Sequence, residues 1–292
     1  MQPLAYECPT TIEEAVAAFA PGDTRALAGG TDLIVQIREG RKSVGRVVDL
    51  KRIPELTAIT QQPDGGFRIG AAANFNAIAA HAALTTAYPS VPNSGRLVGS
   101  LQVQNRASLG GNICNAAPSA DAVPVVICLD ARAEIAGPKG RREEPVEALF
   151  AGPGRNTLAP DEILVSILLP PVKRRSASCY LRFTPRREMD IAIAGAGVAI
   201  ALGADGTIED ARITLAAVAP VPLRAPMAEK ALRGEKPSHA LFTNAGRIAA
   251  REAKPIGDTR GSVEYRRELV AVLTQRALMS CAHDLKLGIT SP

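Results

Sequence analysis

Two short glycine turns, at Gly29-Gly30 and Gly110-Gly111, constrain this 292-residue chain more than any other feature. In the first, Arg25-Ala26-Leu27-Ala28 reads as a strand entering Gly29-Gly30-Thr31-Asp32, with an apolar-periodic segment from Leu33 predicting a helix start. In the second, Ser108-Leu109-Gly110-Gly111-Asn112 lies between an apolar segment and a polar, turn-rich one ending at Asp121. Glycine admits positive φ and lets backbone N–H groups approach a ligand, and successive N–H groups facing one point make a concave anion site. Neither turn holds a catalytic nucleophile. The pair predicts two loops closing on one extended, phosphate-bearing cofactor.

Other function classes lose support on composition. The net charge is +5, but aromatic residues are 3% and tryptophan is absent, which leaves little to stack on nucleic-acid bases. The basic groups Arg141-Arg142, Lys173-Arg174-Arg175 and Arg186-Arg187 are scattered, as on a solvated face or a surface for a protein partner. Cys8, Cys114, Cys128, Cys179 and Cys281 form no C-x-x-C pair, which argues against zinc or an iron–sulfur cluster held by this chain. His81, His239 and His283 stand apart from each other and from acidic clusters, so no metal site is expected. Gly195-x-Gly197-x-x-Ile200 lacks the third small residue and the strand-turn-helix setting of a dinucleotide fingerprint; it reads as a sheet packed closely on a neighbour. P-loop and nucleophile-elbow motifs are absent. No apolar run reaches the length of a transmembrane helix and the first residues show no leader pattern, so a cytoplasmic location is expected.

Along the chain, Thr10 with Glu13 and Thr11 with Glu14 form overlapping capping boxes that predict a helix start. Strand 25–28, helix 33–39 and strand 47–50 then make a small α/β unit. Residues 57–60 and 67–70 flank the hairpin signal Pro63-Asp64-Gly65-Gly66 and open a second unit. Helices are predicted over 74–84 and 121–129, the latter capped by Ser119 or Asp121, with strands over 131–136 and 162–169. Pro170-Pro171-Val172-Lys173-Arg174-Arg175 reads as a linker. Strand-like runs over 191–202 and 208–218 and amphipathic helices over 238–253 and 262–285 complete the chain.

Ala28-Gly29-Gly30-Thr31-Asp32-Leu33 together with Ser108-Leu109-Gly110-Gly111-Asn112 resembles the paired FAD-pyrophosphate loops of the medium subunit of molybdenum hydroxylases. That family includes the xanthine, carbon monoxide, nicotinate and quinoline dehydrogenases. The likeness continues through Arg186-Arg187-Glu188-Met189-Asp190-Ile191-Ala192 and Gly261-Ser262-Val263-Glu264-Tyr265-Arg266-Arg267. It implies an α+β fold: a two-part FAD-binding α/β region of the vanillyl-alcohol-oxidase/PCMH type, followed by a C-terminal domain of antiparallel sheet plus helices. The implied domains are residues 1–172, with subdomains of about 1–55 and 56–172, and residues 173–292, of the carbon monoxide dehydrogenase flavoprotein type.

The resemblance also implies site residues. Backbone N–H groups of 28–33 and 109–112, following Leu27 and Ser108, would bind the pyrophosphate, with side-chain contacts from Thr31, Ser108 and Asn112. Asp32 would cap the following helix rather than face phosphate. Asp121 corresponds to an aspartate on the adenosine part, with an N-cap role as the alternative. Leu164 and Arg182 correspond to positions lining the flavin, Arg182 standing where relatives often have Lys. Asp190 and Ile191 align with the segment against the isoalloxazine ring; Ile191 is the residue of xanthine dehydrogenases, where the carbon monoxide branch has Tyr. The implied role is an electron-transfer subunit of an oxidoreductase, with no catalytic or metal-ligating residue of its own. A large molybdenum-cofactor subunit oxidises substrate, a small subunit with [2Fe–2S] clusters relays electrons, and non-covalent FAD here delivers them to NAD or a quinone, in a dimer of heterotrimers. A standalone flavin oxidase and a cofactor-free assembly scaffold are the alternatives. Cys114 is near enough to the second turn to keep a thioether-linked flavin open.

Overall fold

The computed structural model describes residues 3–19 and 23–289. Its N-terminal unit is a three-stranded parallel sheet, β1 (Ala5–Glu7), β2 (Thr24–Leu27) and β3 (Arg46–Asp49), in the order β1-β3-β2. Helix Ile12–Ala18 joins the first two strands. Thr11 caps it by accepting from the Glu14 N–H, and the Glu14 carboxylate reaches back to the Thr10 and Thr11 N–H groups. Of the two overlapping boxes, only Thr11 with Glu14 therefore forms. Helix Leu33–Arg38 carries the chain from β2 back to β3, so the first glycine turn stands at the carboxyl end of a parallel strand.

The next strands are β4 (Ile59–Gln61), β5 (Phe67–Gly70), β6 (Arg132–Gly137) and β7 (Gly140–Pro145). The short pair β8 (Phe150–Gly152) and β9 (Arg155–Asn156) precedes β10 (Ile163–Leu169), which enters an antiparallel sheet of order β4-β5-β10-β6-β7. A chain of short helices fills the excursion between β5 and β6. The single helix predicted over 74–84 is two, Phe75–Ala80 and Ala82–Ala87, because His81 is extended and its Nδ1 accepts from the Leu84 N–H at 3.2 Å, starting a second helix. Ile12, Val48, Leu56, Ile163 and Val165 pack the parallel unit onto this sheet.

After the irregular segment 170–175, β11 (Ser176–Phe183), β12 (Ala194–Leu202), β13 (Ile208–Ala216) and β14 (Leu223–Arg224) form an antiparallel sheet in that order. Helices His239–Glu252 and Val263–Asp284, capped by Ser238 and Ser262, bury Phe242, Val270, Leu273 and Leu278 against it. The glycines of β12 are packing glycines. A Cβ at Gly195 would sit 2.5 Å from the Tyr180 hydroxyl, and one at Gly197 would sit 3.1 Å from the Pro124 backbone. Helix Val123–Cys128 thereby lies directly on β12 and joins the last sheet to the rest. The buried Arg266 guanidinium donates to the carbonyls of Ile193 and Ala217 and to both oxygens of Asp258, tying two strand ends to one loop.

Candidate functional site

The two glycine turns meet over a cavity of about 630 Å³ between the parallel unit and the five-stranded sheet. Its lining includes Leu27, Ala28, Gly29, Gly30, Thr31, Asp32, Leu33, Ser108, Gly110, Gly111, Asn112 and Leu164. Leu109 is fully buried behind the second turn. Asp121, Arg182, Asp190 and Ile191 are not part of the lining.

Each glycine of the turns has its own physical reason. Gly30 has φ +76°, a conformation that side chains rarely adopt. Gly29 has no room for a Cβ because the turn lies on the Arg106 carbonyl and the Ala107 amide. Gly110 is equally closed, its Cβ position falling 2.5 Å from Ala71. Gly111 differs: it is helical rather than positive in φ, and an added Cβ would meet only Ser108 Oγ, at 3.0 Å. From sequence, glycine is expected at both turns for positive φ and for close backbone approach to a ligand. At the second turn positive φ plays no part: Gly110 is closely packed, and at Gly111 only the Ser108 hydroxyl crowds the Cβ position.

The backbone donors divide unevenly. At the second turn the Gly110 N–H goes to the Ala71 carbonyl at 3.1 Å, Gly111 N–H to Ser108 Oγ at 3.0 Å and Asn112 N–H to the Ser108 carbonyl at 2.9 Å. Three of the amides expected to face a ligand there are therefore occupied within the chain. At the first turn the N–H groups of Gly29, Gly30, Thr31 and Asp32 have no acceptor among the described residues. Gly29, Gly30 and Thr31 are half-buried and Asp32 is exposed at the N-cap of the following helix, where N–H groups lack intrahelical partners and stand free for water or an anion. Thr24 Oγ1 and Asn112 Oδ1 also belong to cavity-lining residues, and both are buried without a hydrogen-bond partner among the described residues.

Charge in the cavity comes from Arg25, Lys42 and Arg155 against Asp32 and Glu162, the last paired with Arg142 at 2.8 Å. Asp32 stands at the N-cap of helix Leu33–Arg38 but makes no capping bond, contrary to the sequence reading. Burial raises its pKa against the pull of Lys42 and Arg41. Burial also lowers the pKa of Lys42, with Arg25 adding to the effect. Cys114 lines the cavity, and burial pushes its thiol up to about 12, so it offers no reactive thiolate. No histidine lines the cavity among the described residues.

Asp121 is placed elsewhere. Helix Val123–Cys128 starts without any side-chain cap, so neither Ser119 nor Asp121 caps it. The Asp121 carboxylate instead accepts from the Tyr180 hydroxyl at 3.0 Å and from the Arg182 guanidinium, both on β11. Burial of this trio pushes Asp121 up to about 6 although Arg182 and Tyr180 favour its charged form. Asp190 sits in an exposed loop, where it accepts from the N–H groups of Arg186 and Ile191; the Arg186 N–H is the larger cause of its lowered pKa. Ile191 is 52% exposed beside Met189, which has φ +52°.

Thr24, Gln36, Lys42 and Asn115 line the cavity and were not singled out in the sequence. Gln36 Nε2 donates to Asn115 Oδ1 at 3.2 Å and links the two helices that follow the turns. Each lies one helical turn beyond its motif, after Asp32 and Gly111, a spacing that a search for i+4 polar partners would have found. Thr24 and Lys42 have no comparable local signal.

Residues 2–172 match the FAD binding domain in molybdopterin dehydrogenase, and residues 179–281 match the CO dehydrogenase flavoprotein C-terminal domain. The chain is 30% identical over 279 residues to the nicotine 6-hydroxylase medium subunit of Paenarthrobacter nicotinovorans, covering 94% of this chain and 96% of that one. It is 29% identical over 276 residues to the xanthine dehydrogenase FAD-binding subunit of Escherichia coli, covering 94% of each. Carbon monoxide dehydrogenase from Hydrogenophaga pseudoflava, solved without the Mo-pyranopterin moiety of its cofactor, superposes with a TM-score of 0.91 at 29% identity, over 98% of this chain and 99% of that chain. The fold, the paired turns and these matches agree: the chain belongs to the family of FAD-binding subunits of the molybdopterin dehydrogenases.

Proposed function

We propose that the cavity between the two glycine turns holds one non-covalent FAD, with its pyrophosphate against the Gly29 to Asp32 amides. The observation that carries this reading is the run of four N–H groups without an acceptor among the described residues, on residues that line the same cavity as Thr24 and Asn112, whose Oγ1 and Oδ1 are buried without a partner there. The residues fit the group: amides for an anion, two polar side chains without partners among the described residues for hydroxyl or amide edges, and a cavity-lining position without a side chain at Gly111. Asn112 and Ser108 supply the second turn's contribution through side chains, since its own amides are mostly taken. Asp121 with Arg182, and the Asp190-Ile191 loop, are assigned to the flavin end on family resemblance. When bound, a flavin accepts electrons singly or as hydride, which suits a converter between one-electron carriers and a two-electron acceptor. Acid precipitation should release a yellow supernatant containing one FAD per chain. Flavin retained in the pellet, or FMN in its place, rejects the reading.

The relatives support a wider role, which is proposed with the same site. We assign the chain to an electron-transfer position between a small [2Fe–2S] subunit and NAD or a quinone, with substrate oxidised on a large molybdenum subunit and two such heterotrimers paired. The division at 172/173 separates the FAD-binding part from the C-terminal part. No helix among the described residues is long and apolar enough to cross a membrane; a cytoplasmic setting is part of this proposal. Ile191 favours NAD, because a nicotinamide must stack on the ring face to exchange hydride and an aliphatic cover leaves that face accessible. In the complete complex, NAD⁺ should reoxidise substrate-reduced flavin, and Ile191→Tyr should slow that step more than the reduction. Reoxidation by a soluble quinone but not by excess NAD⁺ overturns the assignment.

A further inference from the structure

The first turn presents four amides without an acceptor among the described residues, so their direction is held by packing and by bonds to the neighbouring carbonyls. Lys51, just beyond β3, supplies one such bond. Its Nζ donates to the Ala28 carbonyl at 2.9 Å and to Asp49 Oδ1 at 2.6 Å. Asp49 is itself fixed, accepting from the Lys51 N–H at 3.0 Å and from the Tyr6 hydroxyl at 2.7 Å. It is buried, and it caps the single 3₁₀ turn Leu50–Arg52 on which Lys51 sits.

The Ala28 carbonyl and the Gly29 N–H belong to one planar, trans peptide unit, so the two groups point in opposite directions. A donor that pins the carbonyl on one side therefore aims the N–H to the other. Ala28 and Gly29 line the cavity, whereas Lys51 does not. A flip of this peptide turns ψ of Ala28 and φ of Gly29, and glycine at the second of these positions removes the steric barrier that a side chain would set against it. Lys51 Nζ is the one donor to the Ala28 carbonyl among the described residues, so its loss removes the hydrogen bond that opposes a flip turning a carbonyl, rather than an amide, toward an anion. The Asp49 carboxylate offsets most of the lysine charge at close range, so geometry rather than long-range attraction is the contribution.

We propose that Lys51, braced by Asp49 and Tyr6, is a positioning residue that locks the Ala28–Gly29 peptide and so sets the first turn for pyrophosphate binding. This rests on the assignment of the cavity to FAD. Full-length wild type, Lys51→Met, Lys51→Gln and Lys51→Arg, each stripped of flavin, are titrated with FAD by flavin fluorescence, and the melting temperature of each apoprotein is measured. Loss of a charge-assisted hydrogen bond that orients the site should raise Kd on the order of tenfold in Lys51→Met and Lys51→Gln. Apo melting temperatures should stay close to wild type, and Lys51→Arg should recover most of the affinity. Amide exchange at Gly29 and Gly30 in FAD-bound protein should be faster in Lys51→Met than in wild type. An unchanged Kd in Lys51→Met and Lys51→Gln overturns the proposal, as does an affinity loss that only tracks a fall in melting temperature. Failure of wild type to bind FAD overturns the cavity assignment instead, and the clamp with it.

Discussion

Replacing Gly111 and Gly110 separately should split ligand binding from folding. Gly111 occupies the first turn of helix Leu109–Asn115 with helical φ, and its Cβ direction meets only Ser108 Oγ at 3.0 Å before opening into the cavity. Leaving glycine in a helix gains about 0.5–1 kcal/mol, and the stiffness of a β-branched side chain gives back about 0.5 kcal/mol. A small displacement of the Ser108 cap uses up most of the remainder. Gly111→Val should therefore change apoprotein stability by less than about 1 kcal/mol, a shift of a few degrees in melting temperature for a chain of this size. Its methyl groups occupy space assigned to the ligand, and overpacking costs about 1–3 kcal/mol, or roughly 5- to 150-fold in Kd. Gly110→Ala is the opposite case. Its Cβ falls 2.5 Å from Ala71, and its N–H is anchored on the Ala71 carbonyl, so the helix cannot move aside. It should lose about 1–3 kcal/mol of stability. Circular-dichroism melts of the apoproteins and FAD titrations measure both quantities. A Gly111→Val protein that binds FAD as tightly as wild type, or melts as low as Gly110→Ala, refutes this division.

Asn112→Ala removes a buried oxygen that has no partner among the described residues, so apoprotein stability should hold or rise while FAD binding weakens by about 1 kcal/mol; a stability loss with unchanged Kd contradicts this. Arg68 and Arg141 hold Glu55 and Glu134 below the ordinary carboxylate pKa, Arg141 being the largest cause for Glu55, while Glu134 resists the opposing effect of burial with help from Ser166. Folded values below unfolded ones mean this stability is complete above about pH 4.5 and is lost as pH falls through the folded values. Urea midpoints should drop between pH 5 and pH 3, and Glu134→Gln should flatten that drop while costing about 1 kcal/mol at pH 7; an equally steep drop in the variant refutes the assignment.

Local signals in the sequence located much of this architecture. Ser238 and Ser262 cap the two long helices as serines before apolar-periodic runs should, and the strand-turn-helix order around Gly29 is that of a βαβ unit. The proline-rich segment 170–175 separates β10 from β11. Strand β11 does alternate, with Ala177, Cys179, Leu181 and Phe183 packed on the last core, but its first half carries only small side chains directly after the basic Lys173-Arg174-Arg175, and its pairing with Ala194–Ala201 of β12 is invisible in a local pattern. His81 broke a helix that periodicity made continuous, since an imidazole cap is not visible in an apolar pattern. At the site, the sequence pointed to both glycine turns, but it could not say which amides stay free. That depends on distant acceptors: Ala71 takes the Gly110 N–H, and nothing among the described residues takes those of Gly29 to Asp32. The partners of Asp121 were hidden for the same reason, lying on the undetected β11.

The contact between Gly29 and the Arg106–Ala107 backbone is made by main chain on both sides. A junction of this kind is indifferent to most side chains around it and demands only that one position carry none. Side chains immediately around this seam are therefore free to drift while the two turns stay in register; the matching that a hybrid of two relatives would need lies instead in the packing of Ile12 and Val48 on Ile163 and Val165. The same property makes the seam hard to repair by compensation: a side chain introduced at Gly29 confronts a peptide group, which no substitution elsewhere can make smaller.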